Sequence, residues 1–110
     1  MFFTQPSDFQ ERELSPQVTT RIAWGEKLMI SHVHVRPNAP IVPLHSHPHE
    51  QMGIVLEGKV GLTIGSETRE IKKGDMFLVP PDTPHGLAFT FDQPAEILDI
   101  FSPPREEFKK

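Results

Sequence analysis

The sequence contains no cysteine among its 110 residues. This absence excludes a disulfide framework, a zinc site built from thiolates and a cysteine nucleophile. Any bound metal ion must therefore be held by nitrogen and oxygen ligands, and imidazole nitrogen is the donor that suits zinc, copper, iron and nickel.

Long hydrophobic runs are also missing. No apolar stretch approaches the roughly 20 residues that a membrane-spanning helix needs, and the first residues lack the basic region and apolar run of a secretory signal. Acidic and basic residues are mixed along the chain, with a formal net charge of −4, so no clustered basic patch indicates nucleic-acid binding. We therefore expect a cytoplasmic protein that binds neither nucleic acid nor a membrane.

Proline and glycine are abundant and separate short apolar runs, with 12 prolines and 7 glycines in the chain. A chain of this length fits one domain, and strand-length runs between turn residues favour an all-β sandwich or barrel. The predicted strands are Val18–Trp24, Leu28–Val35, Val42–His47, Met52–Leu56, Val60–Ile64, Met76–Val79, Leu87–Phe91 and Glu96–Phe101.

The two ends of the chain differ from this pattern. A short C-terminal helical turn is predicted over Ser102–Phe108, with Ser102 as its cap and Pro104 in its first turn. Residues 1–15 show no clear period. We expect them to form either a mobile arm or an edge strand that crosses to a partner subunit.

Histidine is concentrated in one segment of the chain. His45 and His47 are two residues apart, so on a strand their side chains project to the same face, where two imidazoles can share a metal ion. Pro48 should bend the strand, and the chain then returns through Gln51. Further along, His85 follows a proline-rich turn that leaves its side chain little conformational freedom to lose.

A second pair, His32 and His34, has the same spacing. The same strand would place Val33 and Val35 on its opposite face. No third ligand is evident near this pair, so we expect two ordinary strand histidines without a metal ion, although they could line a pocket.

The spacing around the first histidines resembles that of the cupin family. In the first cupin motif, residues 39–58, a His-x-His pair is followed after three residues by Gln51 and after six more by a glycine. In the second motif, residues 74–89, a glycine is followed after five residues by Pro80 and after four more by a histidine. The resemblance implies a single-domain cupin β-barrel (a double-stranded β-helix or jelly roll) over residues 1–110. It also implies one divalent transition metal held by His45, His47, Gln51 and His85.

The sequence departs from the cupin pattern at several positions. Ala39 and Asp82 replace glycines and Phe89 replaces an asparagine, all at turn or packing positions. Gln51 stands where the family has a glutamate. Because four neutral ligands leave the ion's charge uncompensated, this change favours polarisation of substrate oxygen over oxidation.

The sequence leaves open which residues complete the ligand set and which metal ion binds. Glu50 should point away from Gln51 on a regular strand, while His49 shares its parity and could compete with it. The ion could be nickel, zinc, iron, manganese or copper, because the affinity order and cellular supply both decide which one binds.

The segment 98–108 and the histidine segment around Gln51 are together similar to the KdgF family of pectin degradation proteins. This resemblance implies conversion of cyclic 4,5-unsaturated monouronates, released from pectin or alginate, to linear ketonised sugar acids. It assigns Asp99, Phe101 and Arg105 as the catalytic residues and a sugar acid as the small-molecule partner. The cupin resemblance also implies a homodimer.

The residue types in this segment support such a site. Asp99 lies in an otherwise apolar strand face, and a buried carboxylate requires a partner or a function. Arg105 offers a planar fork that fits a carboxylate. The alternative is that these two side chains form an ordinary ion pair at the barrel mouth. For the whole protein, the alternatives are an iron-dependent cupin dioxygenase and a non-catalytic sugar-acid binding module.

Overall fold

The structure is a computed structural model that describes residues 2–109. It contains ten strands and two short 3-10 turns, Pro6–Asp8 and Glu106–Lys109. Among these described residues, none of the helical turns is long and apolar enough to span a bilayer. The strands are β1 (Arg12–Ser15), β2 (Val18–Trp24), β3 (Met29–Val35), β4 (Val42–His45), β5 (Glu50–Glu57), β6 (Lys59–Ile64), β7 (Glu67–Lys72), β8 (Met76–Val79), β9 (His85–Phe89) and β10 (Ala95–Ser102).

The strands form two antiparallel sheets, which confirms the predicted all-β fold. The larger sheet has the order β1-β2-β3-β10-β5-β8, and the smaller has the order β4-β9-β6-β7. Alternate side chains of both sheets meet in the main apolar core, to which Val33 and Val55 contribute from the larger sheet and Val60 and Leu87 from the smaller. A second, smaller cluster contains Ile22, Met29 and Phe101. This alternation means that each inward position of a strand faces either the core or a cavity within it.

Every predicted strand overlaps an observed one, but β7 was missed, and β1 lies in residues 1–15, for which an edge strand was one of two alternatives. β7 carries mainly charged side chains, and its only buried residue is Ile71. It is the edge of the smaller sheet, so most of its side chains face water and show no apolar alternation. β1 is the edge of the larger sheet and pairs with β2 of the same chain, so residues 12–15 form an edge strand, as the second alternative stated, but they pair within the chain.

The C-terminal helical turn is present, but its predicted start is wrong. Ser102 is the last residue of β10, where it pairs with Glu50 of β5. Its hydroxyl donates to the carbonyl of Lys27 at 2.9 Å instead of capping a helix. The turn begins only at Glu106, because strand pairing holds the chain extended through Ser102.

Candidate metal centre and active site

A cavity of about 360 Å³ lies inside the barrel and is lined by residues of both sheets. Its size is in the range of small-molecule sites, which are mostly apolar with a few convergent polar groups. All the predicted site residues except His47 line this cavity, namely His45, Gln51, His85, Asp99, Phe101 and Arg105.

Three histidines gather at this cavity from separate parts of the chain. His45 of β4 and His85 of β9 are direct partners in the smaller sheet, and their ring centroids are 4.4 Å apart. His47 follows β4, and its ring centroid lies 4.9 Å from that of His85 and 6.5 Å from that of His45. His47 and His85 are buried, at 8% and 5% exposure, while His45 is exposed.

The Nδ1 atom of each ring lies at hydrogen-bond distance from a backbone carbonyl. The distances are 2.9 Å from His45 to Pro43, 3.1 Å from His47 to His49 and 2.9 Å from His85 to Thr83. A carbonyl can only accept, so each neutral ring donates its Nδ1 proton and keeps a lone pair on Nε2. Metal-binding histidines typically have this support, which fixes both tautomer and ring orientation.

Gln51 connects the histidines to the larger sheet. It is buried on β5, at 7% exposure, while its neighbour Glu50 is exposed on the other face. Its amide nitrogen donates to Oδ1 of Asp99 at 3.2 Å, and its Oε1 lies 3.1 Å from Nε2 of His47.

This places the ring of His47 between two oxygen acceptors, the carbonyl of His49 and the amide oxygen of Gln51. Burial lowers the pKa of His47, so the ring is neutral at pH 7 and carries one proton for two acceptors. Two lone pairs therefore face each other unless a cation lies beside them. Their separation of 3.1 Å is close to the roughly 3.0 Å between adjacent ligands of an octahedral ion with bonds near 2.1 Å. The donor set thus fits a divalent metal ion.

The loop before His85 also forms a hydrogen bond with the backbone of His47. The amide of Asp82 donates to the carbonyl of His47 at 2.8 Å, and Asp82 has a φ of 61°. This is the left-handed region, which aspartate tolerates better than most residues. Asp82 therefore adopts a conformation that explains why the cupin pattern has glycine at this position.

Asp99 occupies an inward position on β10. Burial raises its pKa to about 7, against the opposing effects of the Gln51 hydrogen bond and the positive charge of Arg105. The residue keeps some accessible surface because it lines the cavity. A carboxyl group with this pKa can both accept and donate a proton near neutral pH.

The raised pKa predicts a pH-dependent effect on stability in metal-free protein. The native state keeps the Asp99 proton above the ordinary pKa of 3.8 and loses it only near about 7, so stability is lost as the pH rises between these values. In the presence of a chelator, Asp99→Asn should raise the free energy of unfolding at pH 8 by up to about 4 kcal/mol. Urea unfolding should show this gain shrinking towards zero near pH 4, and an equal gain at both pH values would contradict the assignment.

Arg105 and Phe101 form one wall of the cavity. Among residues 2–109, the ion pair of Arg105 is with Glu107, at 3.0 Å from Nε to Oε1, and not with Asp99. The guanidinium stacks over the rings of Phe101 and Phe108, at 5.1 and 4.1 Å from their centroids. Phe101 is buried, and its ring meets that of His47 edge-on at 5.7 Å.

Gly53 is a site residue that sequence reasoning missed. It pairs with Asp99 on one side and Phe77 on the other. A Cβ at this position would lie 2.2 Å from the Phe77 ring and 2.8 Å from Oδ1 of Asp99. A glycine inside a strand often marks such a close approach, so the signal was present in the sequence.

Gly53→Ala should therefore disturb the Asp99 carboxyl. We expect a loss of about 1–3 kcal/mol in stability, typical of overpacking, together with lower turnover of the substrate proposed below. Gly25→Ala is the control, because a Cβ there meets nothing within 4 Å. Thermal unfolding and steady-state rates measure both effects, and a Gly53 variant that behaves like the Gly25 variant would exclude tight packing around Asp99.

The expectation that no third ligand lies near His32 and His34 is wrong. Glu96 of β10 pairs directly with His34 across the sheet. Within the described part of the chain, these three residues form a group whose ligand atoms all lie within 4.8 Å of one another. One strand's sequence does not reveal which residue lies opposite on its neighbour, so the group became visible only in the folded chain.

The fold of this chain is that of a cupin. The family model described as Cupin domain matches residues 31–101, which is more than half of the chain, and the chain belongs to this family. It is 32% identical over 88 residues to the pectin degradation protein KdgF of Dickeya dadantii, covering 79% of this chain and 78% of that protein.

Two further comparisons cover nearly the whole chain. The solved structure of KdgF from Halomonas sp. has a TM-score of 0.86 and 27% identity, with 96% of both chains covered. H2HPP isomerase of Bacillus subtilis is 27% identical over 108 residues, which are 94% of this chain and 46% of that protein. The chain thus spans about half the length of this isomerase.

Proposed function

We propose that this chain is a metal-dependent enzyme that opens the ring of cyclic 4,5-unsaturated monouronates and yields linear ketonised sugar acids. The observation that carries this proposal is the Asp99 carboxyl, whose pKa is raised to about 7 and which accepts a hydrogen bond from Gln51 beside three histidines. The similarity to KdgF supports a substrate derived from pectin.

We assign His45, His47, Gln51 and His85 as the ligands of one divalent transition metal. All four are neutral donors at pH 7 when the rings are unprotonated, and burial lowers the pKa of both His47 and His85. Such an ion, when bound, supplies Lewis-acid polarisation of sugar oxygens.

In the proposed reaction, Asp99 first accepts the proton of the C1 hydroxyl. The bond between C1 and the ring oxygen breaks, C1 becomes an aldehyde, and the bond's electron pair passes to the ring oxygen. The resulting enolate spans the ring oxygen, C5 and C4, and the proton that Asp99 holds is returned to C4 as the C5 ketone forms. No net oxidation occurs, and a pKa near 7 suits both proton transfers.

Arg105 is assigned to the substrate carboxylate. Its guanidinium lies over the rings of Phe101 and Phe108, and the residue lines the cavity, so little side-chain freedom is lost when it binds a carboxylate through two parallel hydrogen bonds. Phe101 lines the same cavity, where we assign its ring to packing against the sugar.

The direct test is to mix metal-loaded protein with unsaturated galacturonate and follow the loss of the enol-ether absorbance. We expect a rate that is proportional to enzyme concentration and well above the spontaneous ring opening measured without protein. Oxygen uptake would instead indicate a dioxygenase, and tight binding without absorbance change would indicate a binding module. The homodimer and the cytoplasmic location stay predictions.

A further inference from the structure

We propose that His32, His34 and Glu96 bind a second divalent transition-metal ion, on the outer face of the larger sheet and separate from the barrel cavity. On β3, Ser31 and Val33 are buried in the interior, so the alternate residues His32 and His34 project outwards. Glu96 is three positions from Asp99 on β10 and therefore faces the opposite side of the sheet.

The distances within this outer cluster fit a coordinated ion. Oε2 of Glu96 lies 3.5 Å from Nε2 of His32, and Oε1 lies 3.5 Å from Nδ1 of His34. These separations exceed the usual 2.7–3.2 Å of a hydrogen bond. They are close to the roughly 3.3 Å that separates two ligand atoms of a tetrahedral ion with bonds of about 2.0–2.1 Å.

The hydrogen bonding of His32 also indicates a missing ligand at this cluster. Nε2 of His32 is buried, and within the described part of the chain it has no hydrogen-bond partner. Buried polar atoms in native proteins nearly always have a partner, and an exception calls for an explanation such as an unseen water or ion. A cation held between His32 and Glu96 would satisfy this nitrogen and neutralise the carboxylate together.

The outer cluster is also accessible. The side chains of His32, His34 and Glu96 are 22%, 38% and 36% exposed, so an ion can reach them from solvent. His34 also borders a second cavity of about 290 Å³. Two imidazoles, one carboxylate and a water form a donor set that suits zinc, and imidazole also suits nickel and copper.

The first test counts the ions bound by tag-free protein, using metal analysis after dialysis against zinc and repeating the measurement with cobalt. We expect two ions per chain in the wild type and one in the double variant His32→Ala/His34→Ala. The barrel variant His45→Ala/His85→Ala should also keep one ion, and its cobalt absorption spectrum should differ from that of the outer-cluster variant. If the barrel variant binds none, or the outer-cluster variant still binds two, the proposal is overturned.

A milder substitution tests the proposal even if the double variant fails to fold. Glu96→Gln should lower the affinity of the outer cluster for its ion by at least about tenfold. This is the lower end of the loss in metal affinity when even a partner outside the ligand set is removed. Glu57→Gln is the matched control, because Glu57 pairs with Glu96 across the sheet and the change in charge is the same. Equal affinity in the two glutamine variants would rule out Glu96 as a ligand. An empty barrel with a filled outer cluster would instead defeat the proposed function and leave this inference standing.

Discussion

Asp99→Asn should lower turnover of unsaturated galacturonate by about 10²–10⁴-fold, the typical contribution of a positioned proton-transfer group. Asparagine has almost the same shape and can still accept the hydrogen bond that Gln51 donates at 3.2 Å. It cannot take a proton from the sugar hydroxyl or return one to carbon. The bound metal should stay at the wild-type level, because the amide nitrogen of Gln51 makes the contact with Asp99 and its oxygen stays turned to His47.

Steady-state rates and metal analysis of the same preparation check this result. Asp92→Asn is the matched control, since Asp92 is exposed and lies outside the strands, and it should leave the rate unchanged. If Asp99→Asn loses its metal ion, the carboxyl supports the metal instead of moving the proton. If it keeps the full rate, another group is the general base.

His85→Ala should abolish both metal binding in the barrel and turnover. His85 is buried at 5% exposure, its ring is oriented by the carbonyl of Thr83, and it lies between His45 and His47. Losing a partner outside the ligand set already costs about 10–100-fold in metal affinity, so losing a ligand should cost more. The expected pattern differs from that of Asp99→Asn, because here metal content and rate fall together.

Metal titration followed by rate measurement tests this pattern, with His49→Ala as the comparison. The ring of His49 lies 5.4 Å from that of His47, and its carbonyl orients His47, which an alanine variant keeps. The His49 variant should therefore retain the ion. Loss of the ion in that variant, with retention in His85→Ala, would show that His49 is a ligand and that the assignment of His85 is wrong.

The part of the fold that could be predicted follows from local patterns. Strands such as β2 and β8 have the residues and turn neighbours of half-buried strands, and their predicted bounds match the structure. Alternation along β5 likewise separates buried Gln51 from exposed Glu50. β7 could not be recognised, because its edge position leaves five charged or polar side chains in water.

Some residues of the candidate site could likewise be predicted from the sequence and others could not. Spacing in the chain singled out the histidines, and the resemblance to the cupin and KdgF families singled out Gln51 and Asp99, whereas Gly53 was overlooked although it makes room for the carboxyl. Its importance depends on Phe77, which lies on a neighbouring strand. Contacts of this kind depend on which residues are paired between strands, and the order of one strand does not contain that information.

Residue order alone was enough to exclude thiolate chemistry, to set which side chains share a strand face, and to identify the cupin spacing. These properties are local, since side chains alternate on any strand regardless of its neighbours. Tertiary packing decided the rest, because it chose the strand partners and their register. That register places His45 opposite His85, Gly53 opposite Asp99 and Glu96 opposite His34, and these three pairings create the barrel site and the outer cluster.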